Sequence, residues 1–262
     1  LSLEEALSCI SPILEYSSRG TFSTSSTNAV GDSPLAVLIW EKFFDEVNEY
    51  RFDQQPRFEK PQFDDRYSLR NEEDVRGGFN SNICMVLNVL IGPDYKFLRE
   101  SVPSSGELDF SCYHDYNNLH KLILAIEIKR VHILKGINGQ TLPEFYETNS
   151  NAKKVIQQVY NYMTDNQLQY SILSTYDHHW FIRRPSEAPA TLYISETLPL
   201  PSPLVLKAYA YIALQARKNS NKASSSSTSA NLPNQRNFSL ADFKFKRILG
   251  QGRSGKTLLS EF

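Results

Sequence analysis

The sequence has few cysteines, no long apolar run and almost no net charge, and each shortage excludes a class of protein. Its three cysteines (Cys9, Cys84 and Cys112) lack metal-ligand spacing, so we expect reduced thiols in an intracellular protein rather than a zinc site. The longest uncharged apolar stretch, within SNICMVLNVLIGP, is too short to span a bilayer. A formal net charge of −1 means that any nucleic-acid binding must come from a local patch. Because the sequence begins at Leu1 rather than methionine, the absence of a targeting segment there carries no conclusion.

What is present indicates a globular domain, a linker and the start of a second unit. A length of 262 residues, with 40% hydrophobic and 22% charged residues, allows one full core plus something extra. We predict a first domain over 1–218. Residues 219–237 hold almost no apolar side chains and are predicted to form a Ser-rich flexible linker. Residues 238–262 are too short to build a core of their own and begin a new unit.

Periodicity predicts helices in the first half of the first domain. After a loop at 21–33, Ser33 as N-cap and Pro34 at the first helical position predict a helix to about Tyr50. A second helix should run from near Asn71 to Gly92, and the composition of 51–68 predicts an irregular connection between the two.

The later part of the domain predicts mainly strands. In chain order they are 95–99, 107–113, 122–131, 170–176, 180–184 and 191–195. Helices are predicted at 151–164 and from Pro203 onward. His178 and His179 fall in the predicted turn of a hairpin, where no third ligand for a metal stands nearby in sequence.

Three residues carry the chemistry of the predicted strands. Asp109 lies on the polar face of one strand, and Glu127 and Lys129 lie two apart on the next, so an antiparallel pair would bring them to one face. Two carboxylates suit Mg²⁺ or Mn²⁺, and a lysine beside them can stabilise negative charge on an attacked phosphate. The alternative is a solvated strand face with a cross-strand ion pair.

Four elements in order resemble the PD-(D/E)XK nuclease superfamily. They are the acid-bearing helix NEEDVR, the strand GELDF, the strand LILAIEIKR and a helix with the Gln158-Val-Tyr-Asn-Tyr162 signature. The resemblance covers roughly 35–215, and Leu108 departs from it where the motif has proline. It implies an α/β fold with a restriction-endonuclease-like mixed central sheet flanked by helices. It also implies Mg²⁺- or Mn²⁺-dependent hydrolysis of DNA.

The resemblance assigns roles residue by residue. Asp109 and Glu127 become metal ligands and Lys129 the catalytic lysine. Glu72, with Glu73 as the alternative, becomes the supporting acid of the first helix. Gln158 would contact the site or the nucleic acid, whereas Tyr162 is expected to be a packing residue. The alternative role for Glu72 is an intrahelical ion pair with Arg76, which lies one helical turn away.

Basic residues gather near the Glu-x-Lys strand and predict a phosphate-binding rim. They are Lys129, Arg130, His132, Lys135, Lys153, Lys154, Arg183 and Arg184. The alternative is a scattered, solvated surface.

The glycine-rich tail LGQGRSGKT fits two phosphate-binding patterns. Gly250, Gly252 and Gly255 match a protein-kinase glycine-rich loop, and the same stretch matches a P-loop. A kinase loop joins two strands, whereas a P-loop opens a helix. The alternating Phe243–Leu249 segment favours the start of a kinase N-lobe, which would bind ATP in a longer protein.

A nuclease-like domain joined by a Ser-rich linker to a kinase-like domain resembles the Crinkler-type effector architecture. That resemblance implies an intracellular protein that acts in the nucleus, after secretion into a host cell if it is an effector. Two alternatives to a DNA nuclease stay open. One is a catalytically inactive nuclease-fold module that binds nucleic acid or protein, and the other is a protein whose main activity is that of the kinase.

Overall fold

The computed structural model describes residues 1–17, 31–99, 108–116, 119–137, 139–226, 244–252 and 255–261. The chain forms two compact units, Leu1–Asn221 and Lys222–Phe262. Most of the loop predicted for 21–33 and the strand position Glu107 lie outside the described residues. Of the flexible linker predicted for 219–237, residues 219–226 instead continue a helix, and residues 227–237 lie outside the described part of the chain.

The first unit contains most of the regular structure. Its helices are α1 (Leu3–Leu7), α2 (Phe43–Glu49), α3 (Glu72–Phe79), α4 (Met85–Leu90), α5 (Leu142–Thr148), α6 (Ser150–Asp165) and α7 (Val205–Ser226). Its strands are β1 (Glu15–Tyr16), β2 (Ala36–Ile39), β3 (Ser68–Leu69), β4 (Tyr95–Leu98), β5 (Phe110–Tyr116), β6 (Leu119–Ile128), β7 (Tyr170–Ser174), β8 (His178–Arg183), β9 (Thr191–Ile194) and β10 (Leu198–Pro199).

An eight-stranded mixed sheet runs through the first unit in the order β2-β9-β8-β7-β6-β5-β4, with β10 paired to β8. The pairs β2–β9 and β6–β7 are parallel, and the other neighbours along this path are antiparallel. Helices α5 and α6 connect β6 to β7, as a parallel pair requires. The prediction of a mixed α/β fold with a large sheet flanked by helices is confirmed.

Side chains alternate between two hydrophobic clusters, one on each face of the sheet. On β6, Ile126 and Ile128 join the cluster that includes α7, whereas Ala125 joins the cluster that includes α6. Successive residues of a strand point to opposite faces. Glu127 and Lys129 therefore lie on the side of the sheet that α6 covers.

The helix predicted from Ser33 to Tyr50 is wrong in its first half. Residues Ala36–Ile39 form β2, and the helix begins only at Phe43. The apolar spacing of this stretch fits a helix, but parallel pairing with β9 supplies hydrogen bonds and burial that the local pattern cannot reveal. Tertiary pairing has overridden a local preference.

The helix predicted from Asn71 to Gly92 is confirmed, with one irregularity. Asn71 caps α3 by accepting a hydrogen bond from the Asp74 amide, and a π-helical segment, Asn80–Cys84, joins α3 to α4. Gly92 ends the helix in a left-handed conformation, with φ +97°. At Gly78, inside the helix, a Cβ would lie 2.5 Å from Leu14 Cδ1, so any larger residue requires the buried Leu14 side chain to shift.

The two strands that bear the predicted site are present as an antiparallel pair with shifted ends. In the register of β5 and β6, Phe110 lies opposite Ile126 and Ser111 opposite Ala125. Strand β5 begins one residue after Asp109, and β6 ends one residue before Lys129. These two site residues thus lie just outside the regular strands.

His178 and His179 are strand residues rather than turn residues, which corrects the sequence prediction. The turn falls at 175–177, and β8 begins at His178. His179 is fully buried, and its Nδ1 lies 3.0 Å from Ser174 Oγ and 2.9 Å from the Tyr209 hydroxyl. Burial lowers the pKa of His179 from 6.5 to about 3.

Acid should destabilise the protein partly through His179. The unfolded chain binds a proton with a pKa near 6.5 and the folded chain only near 3, so stability is lost as the pH falls below 6.5. The free energy of unfolding should fall by about 2 kcal/mol more in the native protein than in His179→Asn between pH ~6.5 and ~4.5. Denaturant titrations at several pH values measure this difference. The control His178→Asn should keep the native slope, and equal slopes for the native protein and His179→Asn would contradict the expectation.

In the described part of the second unit, β11 (Lys244–Gly252) and β12 (Gly255–Glu261) form an antiparallel hairpin. Gly250 and Gly252 lie in β11, and Gly255 begins β12. The motif therefore joins two strands, whereas a P-loop would open a helix after it. Within the described ranges, no helix is long and apolar enough to cross a bilayer.

Candidate active site

The candidate site lies at the carboxyl end of the parallel pair β6–β7. Ile128 lies opposite Ser174 in the register of this pair, and the Lys129 amide donates a 2.8 Å hydrogen bond to the Ser174 carbonyl. This bond extends the ladder by one residue and fixes the backbone that carries Lys129. The site is thus attached to the centre of the sheet rather than to a loose loop.

Glu127 and Lys129 form a buried ion pair. Lys129 Nζ lies 2.5 Å from Glu127 Oε1. Glu127 is 2% exposed and Lys129 is 4% exposed. This burial does not fit the alternative in which Glu-x-Lys lies on a solvated strand face, since buried charges are rare and require specific partners.

Asp109 is held by a backbone amide and by a residue of α3. The Ile128 amide donates to Asp109 Oδ2 over 2.7 Å, which ties the start of β5 to the end of β6. Arg76 Nε lies 2.5 Å from Asp109 Oδ1. Both carboxylate oxygens of Asp109 therefore have a partner. The residue is buried, with 6% of its surface exposed.

Arg76 also contacts the acid that was predicted to support the site. Its Nη2 lies 2.5 Å from Glu72 Oε1, so one guanidinium joins Glu72 to Asp109. The helical spacing indicated the pair with Glu72, but nothing local indicated the contact with Asp109. Arg76 is the site residue whose position the sequence did not reveal. Glu73, the alternative acid, pairs mainly with Arg99, whose Nη2 donates to Glu73 Oε2 over 2.8 Å, and the same oxygen lies 3.7 Å from Arg76 Nη1.

Burial and crowding shift the pKa values of these groups. Burial is the largest cause that raises the pKa of Glu127, the nearby Asp109 acts in the same direction, and Lys129 opposes both. Burial also raises the pKa of Asp109, against the opposing effects of Arg76 and the Ile128 amide. Burial acts to lower the pKa of Lys129, but the combined attraction of Glu127, Asp109 and Glu72 outweighs it and the pKa is raised. Carboxylates crowded in this way favour a nearby cation.

Gln158 and Tyr162 share one face of α6, as their spacing predicts. Gln158 Nε2 donates to the Tyr162 hydroxyl over 2.7 Å. Tyr162 is buried in the cluster beneath α6, in keeping with a packing residue. Gln158 Oε1 is buried and has no hydrogen-bond partner among the described residues. A contact between Gln158 and substrate stays a prediction.

The predicted basic rim is divided between two ends of the sheet. Lys153 and Lys154 lie in the first turns of α6, whose start faces the carboxyl end of β6 because the helix runs back toward the start of β7. With Lys135 they are exposed. Arg183, in contrast, lies opposite Tyr170 at the far end of β7.

Arg183 and Arg184 therefore do not belong to this rim, which corrects the sequence prediction. The Arg184 guanidinium donates to the carbonyls of Met163 and Leu168, each over 3.1 Å, and so caps the end of α6. The predicted hairpin already made β8 antiparallel to β7, but the sequence did not show that β7 pairs in parallel with β6, which puts Arg183 at the end of the sheet away from the site.

The carboxylates fit a divalent cation in chemical type but are not arranged around one. Glu72 Oε2 and Glu127 Oε2 are buried and have no hydrogen-bond partner among the described residues. Such hard anionic oxygens are the ligands that Mg²⁺ and Mn²⁺ prefer. Across the part of the chain that the structure describes, however, no three His, Cys, Asp or Glu side chains are placed to hold a metal ion. Arg76 and Lys129 instead occupy the space next to the acids.

Comparison with known proteins adds little to this site. No family model and no curated protein matches the sequence. Among solved structures, the chain is similar to the type IIG restriction endonuclease BpuSI, with a TM-score of 0.29 and 15% sequence identity. The match covers 59% of this chain and 16% of that chain. A similarity at this level carries no argument, so the site must be interpreted from its own geometry.

Proposed function

We propose that the first domain, residues 1–218, is a PD-(D/E)XK-type nuclease that hydrolyses phosphodiester bonds in DNA with Mg²⁺ or Mn²⁺. The observation that carries the proposal is the buried Glu127–Lys129 ion pair, 2.5 Å long, placed beside Asp109 at the end of two central parallel strands. Burying a lysine and two carboxylates carries a desolvation cost that lowers the stability of the fold. Ionisable groups perturbed in this way are concentrated at functional sites. The mixed sheet, with helices on both faces, is compatible with a restriction-endonuclease-like fold.

Each residue has a role that follows from its position. Glu127 and Asp109, supported by Glu72, would hold the divalent cation. When bound, such a cation polarises the phosphate and lowers the pKa of a bound water. Lys129 supplies positive charge next to the attacked phosphate, where burial weakens screening by solvent. Water then adds to phosphorus, and one P–O bond breaks to leave a phosphate monoester and a hydroxyl group.

The exposed lysines at the same end of the sheet would bind the DNA backbone. Lys135, Lys153 and Lys154 lie near the end of β6 and the beginning of α6. Phosphate contacts of this kind position a duplex without recognising its sequence. With a net charge of −1 over the whole chain, binding depends on this patch and should weaken steeply with salt.

Plasmid cleavage tests the proposed function. The purified protein should nick or cut supercoiled plasmid when Mg²⁺ or Mn²⁺ is added, and excess EDTA should stop the reaction. Asp109→Asn removes one ligand charge and should lower the rate by about 10²-fold or more. Asp115→Asn, near the end of β5 opposite to Asp109, is the matched control and should leave the rate unchanged. Cleavage at the native rate by Asp109→Asn would exclude this site as its origin.

An inactive DNA-binding module is the second candidate. The contacts of Arg76 with Glu72 and Asp109 favour it, because they occupy oxygens that a metal would need. We also propose that the hairpin of β11 and β12 belongs to an ATP-binding, kinase-like domain of a longer protein, since its glycines lie between two strands. DNA binding without cleavage in either metal would favour the module.

A further inference from the structure

Arg76 is placed where it can act on metal binding rather than on DNA. Its guanidinium is the group shared by Asp109 and Glu72, with distances of 2.5 Å to an oxygen of each. The side chain is 22% exposed, so solvent and ions can approach it from one side. A single fixed positive charge between two acids offsets the repulsion that these carboxylates would otherwise exert on each other.

We propose that Arg76 is a counter-ion that holds the place of the divalent cation and thereby weakens the affinity of the site for metal. This inference rests on the proposed function of the same carboxylates. It also explains why acids of suitable chemistry are not arranged as ligands. The guanidinium engages Glu72 Oε1 and Asp109 Oδ1, whereas Glu72 Oε2 and Glu127 Oε2 keep unused acceptor capacity.

Metal and guanidinium compete for the same negative charge. A cation that approaches Asp109 meets repulsion from Arg76 unless the arginine turns away from that carboxylate. Glu73 is a second carboxylate within reach of the displaced side chain, since its Oε2 lies 3.7 Å from Arg76 Nη1 while it also accepts from Arg99. Metal binding then requires Arg76 to exchange Asp109 for Glu73 or solvent, and the cost of that exchange lowers the metal affinity.

Isothermal titration calorimetry of the whole chain with Mn²⁺ alone measures the Kd for the metal and tests this inference without an activity assay. Arg76→Met keeps the length of the side chain and removes its charge, and the Kd for Mn²⁺ should fall by about tenfold or more. Arg76→Lys keeps a charge that cannot bridge two acids, and its Kd should lie between those two values. The double variant R76M/D109N should lose the gain in affinity.

Arg70→Met is the matched control. Arg70 forms an i,i+4 pair with Asp74 over 3.3 Å and contacts no acid of the site. Its Kd for Mn²⁺ should equal that of the native protein. Circular dichroism at the titration temperature verifies that each variant is folded. If Arg76→Met does not fold, the Kd of Arg76→Lys for Mn²⁺ is compared with that of the native protein instead.

The outcomes separate this inference from the proposed function. Equal Mn²⁺ affinity in the native protein and the folded Arg76 variants would overturn the role of Arg76, even if Asp109-dependent DNA cleavage is observed. Absence of both Mn²⁺ binding and cleavage in every variant would overturn the proposed function together with the inference. Tighter binding by Arg76→Met that does not depend on Asp109 would place the metal elsewhere and also overturn the inference.

Discussion

Replacing Lys129 by methionine should lower the rate of DNA cleavage by about 10²–10⁴-fold, the range expected when a positioned group that stabilises transition-state charge is lost. Two effects act together. The attacked phosphate loses its nearby positive charge, and Glu127 loses the partner that opposes the rise of its pKa. A more readily protonated Glu127 is a poorer ligand for a divalent cation. Initial rates of plasmid nicking at fixed Mg²⁺ measure the loss.

The matched control for this prediction is Lys96→Met. Lys96 pairs with Asp115 over 2.6 Å, but its side chain is 47% exposed, and exposed pairs contribute little. Its rate and stability should remain close to those of the native protein. Lys129→Arg keeps a charge in the buried pair but changes its shape, so a folded variant with a large loss of rate is expected there too. Native rates in both Lys129 variants would remove this lysine from the mechanism.

Replacing Ile126 by alanine should lower the free energy of unfolding by about 2–5 kcal/mol, because a large buried side chain is lost from a core that cannot fully collapse. Ile126 is 0% exposed and lies on a strand with a neighbour on each side. Urea denaturation followed by fluorescence measures the change. An isoleucine-to-alanine control is available in Ile13, which is 62% exposed and should cost far less. Similar losses for both variants would mean that β6 is not the centre of the core.

The elements that carry the site could be predicted because their patterns are local. A continuous apolar run predicted β6, and the stretch from near Asn71 to the stop at Gly92-Pro93 predicted the α3–α4 helix. The antiparallel pair of β5 and β6, on which the shared polar face depended, is present. Strand β2 was missed because its pairing partner β9 is far away in the sequence, and the apolar spacing of β2 fits a helix equally well.

The sequence predicted most of the residues of the site but less of their geometry. The spacing of Glu127 and Lys129 indicated that they share a face of the strand. It did not indicate that both side chains would be almost completely buried. The contact between Arg76 and Asp109 joins a helix to a strand end and depends on the tertiary structure. Arg183 was assigned to the wrong end of the sheet because the parallel pairing of β6 with β7, which sets the direction of the β7–β8 hairpin relative to the site, has no local signal in the sequence.

The position of β2 in the sheet affects how the chain can fold during synthesis. Strand β2 pairs only with β9 along the sheet path, whereas β4, β5 and β6 are neighbours both in sequence and in space. At translation rates of about 5–20 residues per second, roughly 10–30 seconds separate the synthesis of the two partners. During that interval Val37, which ends up buried, has no sheet to join. The central hairpin can form first, and the nascent segment around β2 is therefore a site where a chaperone would be expected to bind.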